Sequence, residues 1–86
     1  MHETALVRDV IQRMVGLAQS NGACRVVRAK IWLGAFSHLS AEHFREHFVV
    51  EARDTAAAGA TLEIETSDDF DNPAAQHVRL ESVDLE

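Results

Sequence analysis

The chain has 86 residues, 47% of them hydrophobic, and a formal net charge of −6 at pH 7. A chain of this size and composition predicts one globular domain with a single core and excludes a deep cleft between two lobes. The acidic balance, with basic residues spread along the chain, argues against a nucleic-acid partner, and no segment approaches the length of a membrane span.

The single cysteine, Cys24, excludes an internal disulfide and a cysteine-rich zinc site. We expect it to be a small buried or half-buried residue of a strand. Residues 1–20 carry charges throughout and lack the uninterrupted apolar stretch of a secretion signal. The sequence therefore predicts a cytoplasmic protein without membrane insertion.

The first two predicted elements are a helix over residues 4–20 and a strand over residues 24–34. The helix has apolar residues at helical spacing, and Asn21-Gly22 is a typical C-terminal stop. The strand alternates with a period of two, which places its residues on two faces. The core face is expected to carry Val27, Ala29, Ile31 and Leu33. The opposite face is expected to carry Arg28, Lys30 and Trp32.

A second helix is predicted over residues 41–54, after a loop at residues 35–40. Ser40 is a typical N-cap, and the apolar stripe of this helix consists of Phe44, Phe48 and Ala52.

Two further strands are predicted over residues 61–66 and 77–86, separated by the loop SDDFDNPAAQ at 67–76. In the last strand the apolar phase slips between Leu80 and Val83. A strand keeps a strict period of two, so we expect a β-bulge near Glu81 and Ser82.

The order α-β-α-β-β predicts an α+β fold of two layers, with two helices packed on one face of a three-stranded sheet. The order of the strands within the sheet is left open. The uncovered face should carry charges around one large aromatic side chain. Its expected members are Arg28, Lys30, Trp32, Glu63, Glu65, Arg79 and Glu81.

The sequence begins MHET, which offers closely spaced nitrogen donors. The α-amine of Met1, the amide nitrogen of His2 and the Nδ1 atom of His2 form a five-membered and a six-membered chelate ring. The amide nitrogen of Glu3, or an outside ligand, can complete a square plane. This arrangement suits Ni(II) or Cu(II). Met1, His2 and Glu3 are thus a candidate metal site, but from spacing alone a terminal histidine without a role is the preferred interpretation.

The other histidines give weaker signals. The string HFREH at 43–47 has the H-x-x-E-H spacing of inverted metalloproteases, with His43 and His47 as ligands and Glu46 as base. No third protein ligand is evident, and the chain is too short for a substrate cleft, so helix-surface histidines are the preferred interpretation. His38 and His77 receive no role, although His38 could approach the N-terminus.

Several segments together resemble one family, the HypA-type nickel metallochaperones of hydrogenase and urease maturation. They are MHE, NGA, RVVRAKIWLG, AFSHLS, GATLEIE and RLESVDLE. The resemblance implies a non-enzymatic protein that binds Ni(II) transiently at Met1, His2 and Glu3, with His2 as the essential side chain. It also implies delivery to a hydrogenase large-subunit precursor together with a nickel-handling GTPase accessory protein.

The chain departs from that family in three places. Members normally carry a zinc domain with two C-x-x-C pairs between the last two strands, and Ala35 and Ser40 stand where they usually have acids. We interpret residues 1–86 as a single nickel-binding-type domain in which the loop 67–76 replaces the zinc domain, without structural zinc. The alternative is a metal-independent adaptor in hydrogenase assembly that uses the Trp32 face or a strand edge. A homodimer is also left open.

Overall fold

The structure, a computed structural model, describes residues 3–35, 37 and 39–86, and of Glu3 the backbone alone. It contains two helices and three strands in the order α-β-α-β-β, which confirms the predicted α+β fold. These are α1 (Glu3–Ser20), β1 (Val26–Leu33), α2 (Ala41–Glu51), β2 (Thr61–Thr66) and β3 (Val78–Leu85).

The sheet has the strand order β2-β1-β3, which the sequence had left open. The central strand β1 pairs in parallel with β2, where Ile31 lies opposite Ile64, and antiparallel with β3, where it lies opposite Leu80. Because β1 has a neighbour on each side and helices over one face, Ile31 and Leu33 are fully buried.

The core lies between the helices and one face of the sheet. The predicted apolar stripes of both helices point into it, as the periodicity indicated. The buried members from the helices are Val7, Val10, Ile11, Met14, Ala18, Phe44, Phe48 and Ala52. The rings of Phe44 and Phe48 stack with centroids 6.4 Å apart, so α2 is anchored by two aromatic side chains one turn apart.

The sheet contains two register shifts. In β3, Ser82 pairs with Lys30 and Leu80 with Ile31, which leaves Glu81 as the extra residue and confirms the predicted bulge. The second shift lies in β1 at Val27, between the pairs made by its two neighbours. There the expectation that Val27 faces the core is wrong. The bulge turns Val26 into the core and leaves Val27 39% exposed.

The second helix begins as predicted and ends earlier than predicted. The hydroxyl of Ser40 accepts a hydrogen bond from the backbone N–H of His43 at 3.1 Å, which confirms the N-cap. The helix ends at Glu51 rather than at residue 54, with Ala52 as its C-cap. Asp54 follows in the left-handed region with φ of 62°, a conformation that cannot continue a right-handed helix.

Two expectations about single side chains are corrected. Trp32 and Arg79 share one face of the sheet, as predicted, and pair across β1 and β3. Trp32 is nevertheless only 7% exposed, because the Arg79 guanidinium covers its ring at 4.6 Å from the centroid. Cys24 precedes β1 and is exposed, rather than buried within a strand. One predicted charge pair across the strands forms, between Arg28 and Glu63 at 3.4 Å.

The loop 67–76 is joined to the end of β1 on both sides. The N–H of Ser67 donates to the carbonyl of Leu33, and the N–H of Gly34 donates to the carbonyl of His77, both at 2.9 Å. A methyl group on Gly34 would overlap the carbonyl of Ala75, so the loop backbone passes directly over this glycine. The loop therefore has a defined place across the carboxyl end of β1.

Candidate metal centre

The site predicted from sequence lies at the beginning of the chain. Met1 and His2 fall outside the described residues, and the structure gives Glu3 as the first residue of α1 without a description of its side chain. Met1, His2 and Glu3 therefore stay a predicted metal site. His38, which received no role from the sequence although it could approach the N-terminus, also lies outside the described residues.

Both helices begin at the same end of the sheet. Because β1 and β2 are parallel, α2, which connects them, runs opposite to both. A short turn at residues 21–25 connects α1 to β1, so α1 also runs opposite to β1. We call the end at which β1 and β2 finish and both helices begin the helix-start end. Glu3, the first residue of α1, lies at this end.

An ion pair joins the second turn of α1 to the last residue of α2. The Nε of Arg8 on α1 donates to Oε2 of Glu51 on α2 at 2.8 Å, and Nη2 donates to Oε1 at 3.3 Å. This paired geometry fixes both side chains in direction as well as distance. The hydrogen bond from Arg8 holds the pKa of Glu51 below its usual value, against the opposite effect of partial burial. The positive charges of Arg8 and of His47 lower the pKa further.

His47 lies one helical turn before Glu51, so both side chains share one face of α2. It is half-buried, and its charge acts on the Glu51 carboxylate. His43, a further turn toward the helix start, is exposed. From the sequence, both histidines are expected to be surface residues without a role. A spacing of four residues, as between His43, His47 and Glu51, indicates one shared helix face. The direction of that face depends on how the helix packs.

The metalloprotease-like string does not assemble a metal centre. In the part of the chain that the structure describes, which includes His43, Glu46 and His47, no group of three or more His, Cys, Asp or Glu side chains lies together in a way that could hold an ion. Ser40, where the resemblance would have an acid, serves as the N-cap of α2.

The other side of α1 faces the beginning of β3 across a shallow groove. The groove is lined by Ala5, Leu6, Asp9, Arg13, Gln76, His77 and Val78. His77 is exposed and flanks the first turns of α1 on the side away from α2. Among the described residues, no helix is sufficiently long and apolar to cross a membrane.

The chain is similar to known proteins of one family. Residues 1–69 match a family model described as "Hydrogenase/urease nickel incorporation, metallochaperone, hypA". The hydrogenase maturation factor HypA of Methanopyrus kandleri is 34% identical over 65 residues, 76% of this chain and 46% of the relative. That of Rhizobium leguminosarum bv. viciae is 34% identical over 64 residues, 74% of this chain and 57% of the relative. The chain thus spans about half the length of these curated relatives.

The fold is also similar to that of a solved protein structure. The solution structure of the Ni metallochaperone HypA from Helicobacter pylori superposes with a TM-score of 0.82 at 18% identity, covering 99% of this chain and 97% of that chain. This likeness concerns the fold alone. It includes β3, whereas the family model ends within the loop 67–76. Metallochaperones carry metals and are not enzymes, in agreement with the non-enzymatic prediction. The match over residues 1–69 shows that the chain belongs to the HypA family of hydrogenase/urease nickel-incorporation metallochaperones.

Proposed function

We propose that this chain carries nickel for the maturation of a nickel–iron hydrogenase and holds Ni(II) at Met1, His2 and Glu3. The observation that carries the proposal is the family match, because the matched range of residues 1–69 contains this segment. The donors are the α-amine of Met1, the amide nitrogen and Nδ1 of His2, and a fourth group, for which the amide nitrogen of Glu3 is one candidate.

The donor set suits a cargo metal better than a resident one. A planar set of nitrogens fits Ni(II), and the amine and amide nitrogens must lose protons to bind it, so affinity falls as pH falls. A permanent structural ion is usually enclosed by four fixed protein ligands. A chelate at the end of a helix leaves one position replaceable, and a receiving protein can enter there.

The proposed recipient is a hydrogenase large-subunit precursor, with a nickel-handling GTPase accessory protein assisting the transfer. The curated relatives are named hydrogenase maturation factors, which supports this class of recipient. The adaptor alternative used the Trp32 face or an exposed strand edge. Trp32 is only 7% exposed, which weighs against the first of these two surfaces. The cytoplasmic location stays a prediction.

We further propose that residues 1–86 form one nickel-binding-type domain in which the loop 67–76 replaces a zinc domain. The family match ends at residue 69, while the fold match continues through β3. Both ends of the loop hydrogen-bond to the end of β1, so a short connection is sufficient to join β2 to β3. With one cysteine in the chain, nickel would be carried here without structural zinc.

Titration of Ni(II) into protein with a free Met1 amine tests the proposal. We expect the visible absorption band of planar, diamagnetic Ni(II) to saturate at one equivalent. His2→Ala should abolish the band. His77→Ala, which changes an exposed histidine immediately before β3, should retain it. Nickel binding that is indifferent to His2→Ala would contradict the proposal.

A further inference from the structure

The sheet has two edge strands, β2 and β3, because β1 alone lies between two neighbours. An edge strand presents a row of backbone N–H and C=O groups with which a further strand can pair. Within the described part of the chain, β3 pairs with β1 alone, and the backbone hydrogen bonds of turns and loops do not involve residues 78–85. The outer edge of β3 is therefore open to a partner strand.

The two edges differ in charge. Strand β2 carries Glu63 and Glu65 as exposed residues and no basic residue, and charges of one sign protect an edge from pairing with a copy of itself. Strand β3 carries both signs, with Arg79 basic and Glu81 and Asp84 acidic. Of the two edges, β3 is therefore the one that suits a second copy of the same strand.

The exposure pattern of β3 reads the same in both directions along the strand. Its half-buried residues, which pack against the core, are Val78, Leu80, Val83 and Leu85, and its exposed residues are Arg79, Glu81, Ser82 and Asp84. The bulge produces this symmetry, because it sets Glu81 and Ser82 side by side as exposed residues in the middle of the strand. The strand is thus symmetric about the point between these two residues.

Two antiparallel copies of β3 match along the whole strand when a two-fold axis passes between Glu81 and Ser82. A bulge usually protects an edge, because a regular partner strand cannot follow the slip in phase, but a partner with the same slip at the same place can. The resulting pairs, each of which occurs twice, are Val78 with Leu85, Arg79 with Asp84, Leu80 with Val83, and Glu81 with Ser82. Apolar residues then meet apolar residues, and Arg79 meets an opposite charge.

An exposed leucine lies on the side of α1 that borders this edge. Leu6 and Arg13 line the groove between α1 and the beginning of β3, and Leu17 follows Arg13 by four residues on the same helix face. Leu17 is 41% exposed. In the two-fold arrangement the helices of both copies lie on the same side of the joined sheet. The second copy's α1 would therefore cover this side of α1.

We infer that this protein forms a symmetric dimer in which the β3 strands of two copies pair antiparallel and join their sheets into one sheet of six strands. The same surface then serves both partners, as in most two-fold dimers. The contact involves no residue of the proposed nickel site, so the inference stands or falls independently of nickel binding.

The first arm of the test is sedimentation of the full chain over a range of concentrations in buffer without metal. We expect the mass to rise from that of one chain to that of two. Ser82→Glu places a carboxylate opposite Glu81 of the second copy, twice by symmetry, and should weaken association by about tenfold. Ser82→Lys places an opposite charge there and should strengthen association by a similar factor.

These variants separate association from folding. Ser82 pairs with Lys30 in its own chain, so Ser82→Glu is favourable within one copy and Ser82→Lys is unfavourable there, the reverse of their effects on association. Thr61→Glu, at an exposed position of the β2 edge, is the matched control, because it changes the net charge equally and should leave association unchanged. A mass of one chain at all concentrations, or equal effects of Ser82→Glu and Thr61→Glu, would overturn the inference.

The second arm needs no substitution. Backbone amide exchange, followed by NMR at low and high protein concentration, reports which amides a second copy covers. We expect protection that grows with concentration in β3, and none in β2. Concentration-dependent protection that appears around the exposed Val49 and Val50 of α2 and not in β3 would place the contact elsewhere and overturn the inference.

Discussion

The packed middle of the domain and its helix-start end are built from different kinds of residue. The middle consists of apolar side chains such as Met14, Ile31 and Phe44, which are completely buried and repeat with the period of their helix or strand. The helix-start end carries exposed polar residues such as His43, in the first turn of α2, and His77, just before β3, which follow no simple pattern. The middle stabilises the fold, and the proposed nickel site concerns the end.

The largest effect on stability is expected from a cavity in the packed middle of the domain. Phe44→Ala should lower the free energy of unfolding by about 3–5 kcal/mol, because it removes a fully buried ring that stacks on Phe48. Urea denaturation followed by circular dichroism measures the change. Val49→Ala is the matched control on the same helix, since Val49 is 65% exposed and should cost no more than about 0.5 kcal/mol. Similar losses in the two variants would contradict the assigned core.

Gly34→Ala tests the contact between the loop 67–76 and β1. A methyl group there would overlap backbone atoms of Ala74 and Ala75, so the loop must move, at a cost of about 1–3 kcal/mol. Gly16→Ala in α1 meets no atom within 4 Å and should instead stabilise the domain by about 0.8–1.0 kcal/mol. Opposite signs in thermal melts would support the loop's position, and a neutral Gly34→Ala would refute it.

Ser40→Ala removes the cap at the beginning of α2. We expect a loss of about 1 kcal/mol in the free energy of unfolding, because the N–H of His43 loses its acceptor. Ser40→Asp restores a capping oxygen and should recover most of the stability. If the aspartate variant is as unstable as the alanine variant, the loss does not come from the cap.

Arg79→Ala exposes the face of Trp32 that the guanidinium covers. The cation–π contact should contribute about 0.5–1 kcal/mol, as is typical near a surface. Since Trp32 is the single tryptophan, its fluorescence should shift to longer wavelength as water reaches the ring. Arg45→Ala, at an exposed position on α2, should leave the emission unchanged. Unchanged emission in Arg79→Ala would contradict the stacking.

The smallest effect concerns the ion pair between Arg8 on α1 and Glu51 at the end of α2. Because the pKa of Glu51 is lower in the folded chain than in the unfolded one, the pair stabilises the fold above the ordinary glutamate pKa of about 4.3. This stabilisation is lost as pH falls through the lower, folded value. Arg8→Gln should therefore melt slightly below the unmodified protein at pH 7, and the two should converge in acid. A pH-independent difference would mean that Arg8 acts through packing instead.

Apolar periodicity predicted the helices, the strands and the bulge at Glu81, because it shows directly which positions face the core. It missed the bulge at Val27, since the adjacent Val26 and Val27 leave the strand phase ambiguous. It also extended α2 past Glu51, because the left-handed turn at Asp54 falls on a residue that is not glycine. Strand parity assigned Trp32 to its face, but parity does not show what covers a side chain.

The candidate site, too, could be predicted from the sequence only in part. Chelate spacing and the family resemblance pointed to Met1, His2 and Glu3, which are adjacent in sequence. The ion pair between Arg8 and Glu51 could not be predicted, because it depends on the relative direction and alignment of two helices. The two residues are 43 residues apart in the chain.

Nickel K-edge X-ray absorption of the loaded protein with a free Met1 amine tests the central claim most directly. We predict the spectrum of a four-coordinate planar ion with nitrogen ligands alone, including the multiple-scattering signal of imidazole. His2→Ala should lose this spectrum under the same loading conditions. A six-coordinate ion with mainly oxygen ligands, or a planar spectrum that persists in His2→Ala, would contradict nickel binding at the chain's beginning.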